Sequence, residues 1–180
     1  MTTTLFRLKM AILGLNIRIG EGVTVGRMVR VQVTEGGEIV IGDGVAIQDF
    51  VLLCAQEGRI HINDGTFIGM GSQVVAVESV NIGEKCLIAA YSVIRDANHG
   101  TAPGRPMADQ DLAGASINIG DDVWLGTHVV VTAGSTIGSG AVVGANAVVV
   151  GDVPSMSVAV GMPARVIRMR GATIIDESRS

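Results

Sequence analysis

The sequence is poor in aromatic and basic residues, and these shortages exclude several classes of protein. Aromatic residues make up 3% of the 180 residues, although 48% of the chain is hydrophobic. The core must therefore be built from aliphatic side chains. The formal net charge of -4 and the pI of about 5.3 leave no basic surface of the kind that binds nucleic acid, so we expect no nucleic-acid partner.

Two further absences concern the cellular setting. The chain has two cysteines, too few for a disulfide framework, and it has no long apolar run, so we expect no membrane span. A short apolar stretch at residues 10–15 is broken by Gly14 and lacks the small-residue cleavage site of a secretory signal. We therefore expect a cytoplasmic protein that forms one domain.

Glycine and aliphatic residues are abundant, and they follow a period of six. Between residues 119 and 150 an aliphatic anchor recurs at every sixth position, and glycine follows four of the six anchors. Since six is a multiple of two, all anchors lie on the same side of an extended chain. Glycine after the anchor is expected to permit a turn with positive φ. The pattern predicts an all-β solenoid with inward anchors at Ile119, Leu125, Val131, Ile137, Val143 and Val149.

The same period extends back to Ile19 and groups the anchors in threes. Glycine or asparagine follows the first anchor of every group, whereas no glycine follows the third. Three six-residue sides thus make a triangular coil, and six coils stacked about 4.8 Å apart give a prism roughly 30 Å long. The residue two positions before each anchor shares its face, which predicts Cys86 as a small core residue. The earlier anchors are Ile19, Val25, Val31, Ile41, Ile47, Leu53, Ile62, Ile68, Val74, Ile82, Ile88 and Ile94.

Additional residues occur only where one group of three passes to the next, so all insertions are expected on one edge of the prism. The longest separates Ile94 from Ile119 by 25 positions, 19 more than the repeat requires. Insertions gathered on one face of a repeat protein often mark its binding face. The predicted organisation is an N-terminal cap at residues 1–16, a hexapeptide-repeat β-helix at 17–154 with a loop insertion at 96–116, and a C-terminal extension and tail at 155–180.

Three segments resemble the hexapeptide-repeat acyltransferases: INIGDDVWLGTHVVVTAGSTIG at residues 117–138, VVGANAVVVGDVP at 142–154 and VGMPARVIR at 160–168. The resemblance implies a left-handed parallel β-helix. A His-bearing loop before DDVWLG is similar to the sugar O-acetyltransferase branch, which includes galactoside, maltose and exopolysaccharide acetyltransferases. Members of the family are trimers that hold acetyl-CoA in grooves between neighbouring β-helices. The resemblance therefore implies acetyl-CoA as cosubstrate, a saccharide-type acceptor and a homotrimer.

The same resemblance assigns the catalytic base to His99 in the loop. Acyl transfer from a thioester to a hydroxyl needs a group that accepts the hydroxyl proton, and neutral imidazole suits this task. Asn98 and Asp96, close to His99, are assigned to the substrate. Where the galactoside branch carries an Asn that holds the acceptor, this chain has the stretch Gly69–Gly71. The replacements that remain open are Asp49, Gln73 and Asp96.

Six residues match family positions that meet acetyl-CoA: Trp124, Gly126, Thr127, Ala145, Arg165 and Arg168. Backbone N–H groups near Gly126 and Thr127 are the candidates for stabilising the oxyanion of the tetrahedral intermediate. The two guanidinium groups suit the CoA phosphates because they offer paired donors. The family often has Thr-Lys where this chain has Val150 and Gly151, so one cationic contact is missing.

Other functions remain open at this stage. A γ-class carbonic anhydrase needs three converging histidines, two of them closely spaced, whereas His61, His99 and His128 include no close pair. We therefore disfavour that enzyme and expect no metal. His61 and His128 are expected to point outward; His61 is given no role, and His128 is interpreted as a surface or subunit-interface residue. An N-acetyltransferase acting on an amino sugar and a non-catalytic β-helix scaffold remain alternatives.

Overall fold

Three parallel sheets wind the chain into a triangular prism in the computed structural model, which describes residues 16–34 and 36–171. Successive strands enter sheets 1, 2 and 3 in turn, so each coil gives one strand to every sheet. Sheet 1 contains β1 (Ile17–Ile19), β4 (Glu38–Ile41), β7 (Arg59–Ile62), β10 (Ser79–Ile82), β15 (Ile117–Ile119) and β18 (Thr136–Ile137). The predicted six-coil solenoid is confirmed.

The other two sheets share this arrangement. Sheet 2 contains β2 (Thr24–Val25), β5 (Ala46–Ile47), β8 (Phe67–Ile68), β11 (Leu87–Ile88), β16 (Trp124–Leu125), β19 (Val142–Val143), β21 (Ser157–Val160) and β22 (Arg165–Met169). Sheet 3 contains β3 (Arg30–Val33), β6 (Leu52–Ala55), β9 (Gln73–Ala76), β12 (Val93–Arg95), β17 (Val130–Val131) and β20 (Val148–Val149). We call the corner between sheets 1 and 2 the first edge, that between sheets 2 and 3 the second edge, and that between sheets 3 and 1 the third edge.

The insertions all lie on the third edge, as predicted. Residues that stack in neighbouring coils are separated along the chain by 22, 21, 20, 37 and finally 18 positions. Only the last value equals three six-residue sides, so the earlier coils carry excess residues. In the first three coils part of this excess lengthens the strands on either side of the third edge to four residues, as in β6 and β7. Strand pairing therefore stays in register despite the uneven coil lengths.

The interior is aliphatic, and its members are those that the period predicts. Every predicted anchor is buried except Ile19 and Val31, which are partly buried in the first coil. The Cys86 side chain is fully buried, which confirms it as a core residue. The polar residues that occupy inward positions bond to the main chain: the Thr66 hydroxyl donates to the Gly83 carbonyl oxygen at 2.8 Å. The small hydroxyl side chains thus fit a narrow core without unpaired polar atoms.

The glycines that follow the anchors do not have the predicted positive φ, and this expectation was wrong. On the first edge, positive φ occurs two residues later, for example at Gly44 with φ 65°. The glycine after the anchor is required by stacking instead. A Cβ on Gly126 would lie 2.5 Å from the Ala145 backbone nitrogen in the next coil. Because coils are only about 4.8 Å apart, no side chain fits between them at this position.

The long insertion at residues 96–116 forms an antiparallel hairpin. Strands β13 (Ala97–His99) and β14 (Leu112–Gly114) pair, and a 3-10 helix at Met107–Asp109 lies between them. The hairpin projects from the third edge between β12 and β15.

The C-terminal segment covers the last coil. β21 adds to sheet 2 in parallel, and β22 then turns back antiparallel on β21. Val153 forms a bridge with Ile137 of sheet 1, and Ala164 N–H donates to the Val148 carbonyl oxygen of sheet 3. The predicted N-terminal cap lies outside the described residues except for Asn16, its last residue. The residues after Gly171 also lie outside them. Among the described residues, no helix is long and apolar enough to cross a membrane.

Candidate functional site

His99 is exposed at the end of β13. Its backbone pairs with Leu112 across the hairpin, and that of its neighbour Asn98 pairs with Ala113. Just beyond, Gly100 N–H donates to the Asp111 carbonyl oxygen at 3.1 Å, which extends the ladder. The hairpin therefore fixes the main chain of His99 while its imidazole remains accessible.

Asp96 does not fit its predicted role as a substrate contact. Its side chain is completely buried, and each carboxylate oxygen accepts a main-chain hydrogen bond, from Val77 N–H at 2.7 Å and from Glu78 N–H at 2.8 Å. These bonds join the third edge of one coil to the base of the hairpin in the next. Since both oxygens are occupied and inaccessible, Asp96 positions the hairpin and is not available to an acceptor.

Asp49 and Gln73, the other two candidates for holding the acceptor, differ in whether their side chains are free to bind it. The Asp49 carboxylate accepts Arg27 N–H at 2.7 Å and lies 3.0 Å from the Arg27 guanidinium. The Arg27 backbone hydrogen bond holds the pKa of Asp49 below its usual value. Gln73 is exposed on the outer side of β9. Of these two residues, Gln73 is the one whose side chain is free to meet a ligand.

The first and second edges differ in how their main-chain N–H groups are satisfied. On the first edge, a side chain in the next coil caps the N–H of the coil below: Asp43 caps Glu21 at 2.7 Å, and Asp121 caps Glu84 at 2.8 Å. Capping carboxylates and hydroxyls recur in this column at Asp43, Asp64, Asp121 and Ser139. The N–H groups of Glu84 and Asp121 on this edge are therefore already satisfied within the prism.

On the second edge the corresponding caps are missing near the predicted cofactor site. Ala145 stands where a capping Asp would be, so among the described residues Thr127 N–H meets no acceptor. The N–H groups of Ala90 and Ala145 are likewise without an acceptor in the described part of the chain. The second edge thus offers a row of main-chain donors that run parallel to the prism axis.

Gly126 cannot supply one of these donors, and its predicted share in the oxyanion site is corrected. Its N–H donates to the Val143 carbonyl oxygen at 2.8 Å within the coil-to-coil ladder. The neighbouring Thr127 keeps its place through its hydroxyl, which donates to the Ala90 carbonyl oxygen at 2.8 Å. Of the predicted pair, only Thr127 has a main-chain N–H that can meet an oxyanion.

Trp124 and the two predicted arginines lie on sheet 2, next to the second edge. The Trp124 side chain on β16 is 52% exposed, between Leu87 and Val142 of the adjoining strands. Arg165 and Arg168 belong to β22, three strands further along the sheet, or about 14 Å. Six predicted cofactor residues therefore share one region of the prism: Trp124, Gly126, Thr127, Ala145, Arg165 and Arg168.

The arginines of β22 differ in whether their charge is neutralised. Arg170 pairs with Asp122 at 2.6 Å. Arg165 and Arg168 bond only to main-chain oxygens of Ala164 and Met169, and neither has a carboxylate partner among the described residues. Two unpaired guanidinium groups are therefore available to a phosphate.

His128, interpreted from the sequence as a surface or subunit-interface residue, lies beside Thr127. Its ring stacks on Tyr91 with the centroids 5.3 Å apart, and its Nδ1 is 3.1 Å from the Thr127 hydroxyl oxygen. Since that hydroxyl already donates to Ala90, the contact is completed by a proton on Nδ1. Both His128 and Tyr91 have positive φ, a signal that is invisible in the six-residue period.

The structure does not bring His99 together with the cofactor residues within one chain. His99 projects from the third edge, whereas Thr127 and Ala145 lie on the second edge, up to about 20 Å away across sheet 3. The three histidines also lie on separate elements, His61 on sheet 1 and His128 on the second edge. No group of three potential metal ligands occurs in the described ranges.

Comparison with known proteins agrees with this architecture. Residues 116–151 match the family model for the bacterial transferase hexapeptide, six repeats. The chain is 34% identical over 161 residues to WbbJ of Escherichia coli, a putative lipopolysaccharide biosynthesis O-acetyl transferase, covering 85% of this chain and 71% of that protein. It is 35% identical over 150 residues to a probable acetyltransferase of Mycobacterium tuberculosis, covering 82% of this chain but 50% of that protein.

A solved structure shows the same fold. AntD from Bacillus cereus, an N-acyltransferase crystallised with dTDP and 3-hydroxybutyryl-CoA, superposes with a TM-score of 0.76 at 20% identity, covering 91% of this chain and 88% of that one. The chain belongs to the hexapeptide-repeat acyltransferase family. Within that family it is similar to acetyltransferases, and it spans half the length of its mycobacterial relative.

Proposed function

We propose that the protein transfers an acetyl group from acetyl-CoA to a hydroxyl of a saccharide-type acceptor. The observation that carries the proposal is the row of uncapped main-chain donors on the second edge, at Ala90, Thr127 and Ala145. Such a row suits an extended chain that bears amide carbonyls, as the pantetheine arm of CoA does. The similarity to a putative lipopolysaccharide O-acetyl transferase supports a saccharide acceptor.

In this proposal His99 is the general base. The acceptor hydroxyl oxygen attacks the thioester carbonyl carbon while the imidazole takes the hydroxyl proton. The resulting oxyanion is stabilised by Thr127 N–H. When the C–S bond breaks, the imidazolium returns its proton to the departing CoA sulfur. Trp124 would line the groove, and Arg165 and Arg168 would bind the phosphates.

We further propose that the site is completed by a second copy of the chain in a homotrimer. The support is the separation of His99, on the third edge, from the donors of the second edge. A neighbour that places its third edge against the second edge of this chain would bring the two groups together. Asn98 would then lie on the acceptor side, next to His99.

A thiol-release assay with acetyl-CoA against sugars, amino sugars and small alcohols tests the activity. We expect His99→Ala to lower kcat about 10²- to 10⁴-fold, the usual effect of losing a general base. His128→Ala is tested beside it, since His128 is the exposed histidine that contacts Thr127. Loss of kcat in His128→Ala with normal turnover in His99→Ala would transfer the role of base to His128. Faster release of the CoA thiol with amino sugars than with sugars that carry only hydroxyls would indicate N-acetylation.

Ligand binding separates an enzyme from a scaffold. CoA should raise the melting temperature because it binds the native state alone. The increase should shrink in a variant with both Arg165→Ala and Arg168→Ala. Absence of any shift at millimolar CoA would favour the scaffold function.

Co-expression tests the shared site. His99→Ala and the double arginine variant damage different edges, so mixed trimers would contain some sites with both groups intact. We expect activity in the mixture that neither variant has alone. If the mixture is no more active than its components, each site belongs to a single chain.

A further inference from the structure

A polar pocket lies on the outer face of sheet 1, away from the proposed cofactor groove. Its volume is about 290 Å³, and its lining consists of Arg59, His61, Glu78, Ser79, Asn81 and Ser116. The predicted catalytic and cofactor residues are absent from this lining. The outer face of sheet 1 carries polar side chains here, although the same rungs of sheet 2 carry Phe67 and Leu87.

Strand register and the hairpin together build the pocket. Arg59 and His61 on β7 stand beside Ser79 and Asn81 on β10, in neighbouring rungs about 4.8 Å apart. Glu78 forms the wall toward the third edge, where the base of the hairpin packs on it: a Cβ on Gly114 would lie 3.1 Å from the Glu78 Cβ. The pocket therefore lies directly below the hairpin that carries His99.

The serines and Glu78 form an ordered hydrogen-bond chain. Ser79 Oγ donates to Ser116 Oγ at 2.8 Å, and Ser116 Oγ donates to Glu78 Oε1 at 2.9 Å. Glu78 Oε2 receives no hydrogen bond from the residues that the structure describes. One carboxylate oxygen is therefore held in place by the chain while the other remains free to accept.

The remaining side chains add further unused donors and acceptors. Asn81 Nδ2 donates to Asn118 Oδ1 at 3.0 Å, which leaves Asn81 Oδ1 as an acceptor. The Arg59 guanidinium forms no hydrogen bond or ion pair within the described ranges. His61 Nε2 is buried without a hydrogen-bond partner, since Glu38 Oε2 is 3.8 Å away. Because this nitrogen is buried and faces Glu38, the groups that the pocket offers to a ligand are those of Arg59, Glu78 and Asn81.

This alternation of donors and acceptors points to a polyhydroxylated ligand. A hydroxyl both donates and accepts, so neighbouring hydroxyls of a sugar ring can bond to a carboxylate on one side and a guanidinium on the other. Arg59 and Glu78 carry opposite charges, so the pocket favours a neutral ring over a phosphate. Its volume is close to the lower limit of small-molecule sites, which fits one monosaccharide unit.

We propose that the sheet 1 pocket binds one sugar ring of a multi-unit saccharide whose acetylated unit lies at His99. The identity of this saccharide as the acceptor rests on the proposed function, whereas the binding itself does not. Ser116 lies four residues beyond Leu112, the cross-strand partner of His99. That segment spans at most about 14 Å, and the step across the hairpin to His99 adds about 5 Å, so one oligosaccharide can reach both places. The acceptor is then a saccharide chain, and a free monosaccharide is a poor substitute.

A glycan array with labelled full-length protein and no acetyl-CoA tests the pocket directly. We expect the wild type to retain multi-unit glycans and to bind free-standing monosaccharides weakly. Glu78→Gln and Arg59→Ala should each lower the apparent affinity about tenfold, as expected for losing a hydrogen bond to a charged group. Glu21→Gln is the matched control, because Glu21 is exposed on the first edge and its side chain forms no hydrogen bond among the described residues.

Two results would overturn the proposal. One is that the wild type retains no glycan; the other is that both pocket variants retain the same glycans as the wild type. Unchanged circular dichroism and an unchanged thermal shift with CoA would show that the variants are folded. Because the array contains no acetyl donor, failure of acetyl transfer leaves the binding result standing. Conversely, if the protein transfers acetyl groups but retains no glycan on the array, only the proposal for the sheet 1 pocket is refuted.

Discussion

A single methyl group at Gly126 tests whether this glycine is required by coil stacking. In Gly126→Ala the new Cβ would lie 2.5 Å from Ala145 N and 2.9 Å from Ala145 Cα. To bring the new Cβ to an ordinary van der Waals distance from Ala145, the two coils would have to move apart locally by roughly 1 Å. That shift lengthens the hydrogen bonds from Gly126 N to Val143 O, now 2.8 Å, and from Asn146 N to Thr127 O, now 2.9 Å, beyond the normal range.

The cost follows from these contacts. Two weakened hydrogen bonds contribute about 1 kcal/mol each, and overpacking adds about 1–3 kcal/mol, so the free energy of unfolding should fall by about 3–5 kcal/mol. For a chain of this size that corresponds to a melting temperature lower by on the order of 10 °C. Thermal and urea denaturation, followed by circular dichroism at fixed protein concentration, measures the change.

Gly151→Ala is the control, because it separates stacking from turn geometry. Gly151 has φ of 91°, but a Cβ there would meet nothing within 4 Å. Its replacement should cost only the strain of a left-handed residue, about 1–2 kcal/mol. If Gly126→Ala loses no more stability than Gly151→Ala, the stacking explanation is wrong.

Two further predictions concern buried polar groups. Asp96→Ala leaves two main-chain N–H groups without an acceptor and should lower the free energy of unfolding by about 2–5 kcal/mol, measured by urea denaturation. Normal stability together with a raised KM for the acceptor would instead show that Asp96 contacts the substrate. Burial raises the pKa of the Cys54 and Cys86 thiols, so the native protein should react with a disulfide reagent near pH 8 far more slowly than unfolded protein. Because the neutral thiol is the buried form, stability should fall as the pH rises past the pKa of the unfolded thiols. Rapid labelling of both thiols in the native state would contradict this.

The sequence predicted the coils well because a single period determines them. Every hexad places its anchor and the residue two before it on one side of a strand, which is sufficient for Cys86 and Leu125 to be assigned to the core. The surplus residues between anchors, counted along the chain, also identified the third edge. Local pattern thus carries the architecture, and no long-range knowledge is needed.

The site was less predictable because its properties depend on contacts between coils. The capping of an N–H depends on a side chain 18 or more residues away, as for Asp121 and Ser139, and no window of the sequence displays it. Asp96 lies in a polar loop by sequence, yet it is buried and accepts two hydrogen bonds from the third edge of the preceding coil. The pocket below the hairpin arises in the same way, since Ser79 meets Ser116 only after a detour of 37 residues.

The C-terminal segment has a consequence for assembly. A stack of parallel coils ends in three rows of open strand edges, and identical copies could add end to end without limit, as in a fibre. Here Val153, Ala164 and the reversed strand β22 occupy those rows at one end of the prism. An antiparallel last strand offers no parallel continuation for another copy. Deleting residues after Val150 should therefore expose these rows and promote self-association through this end of the prism, which light scattering would reveal.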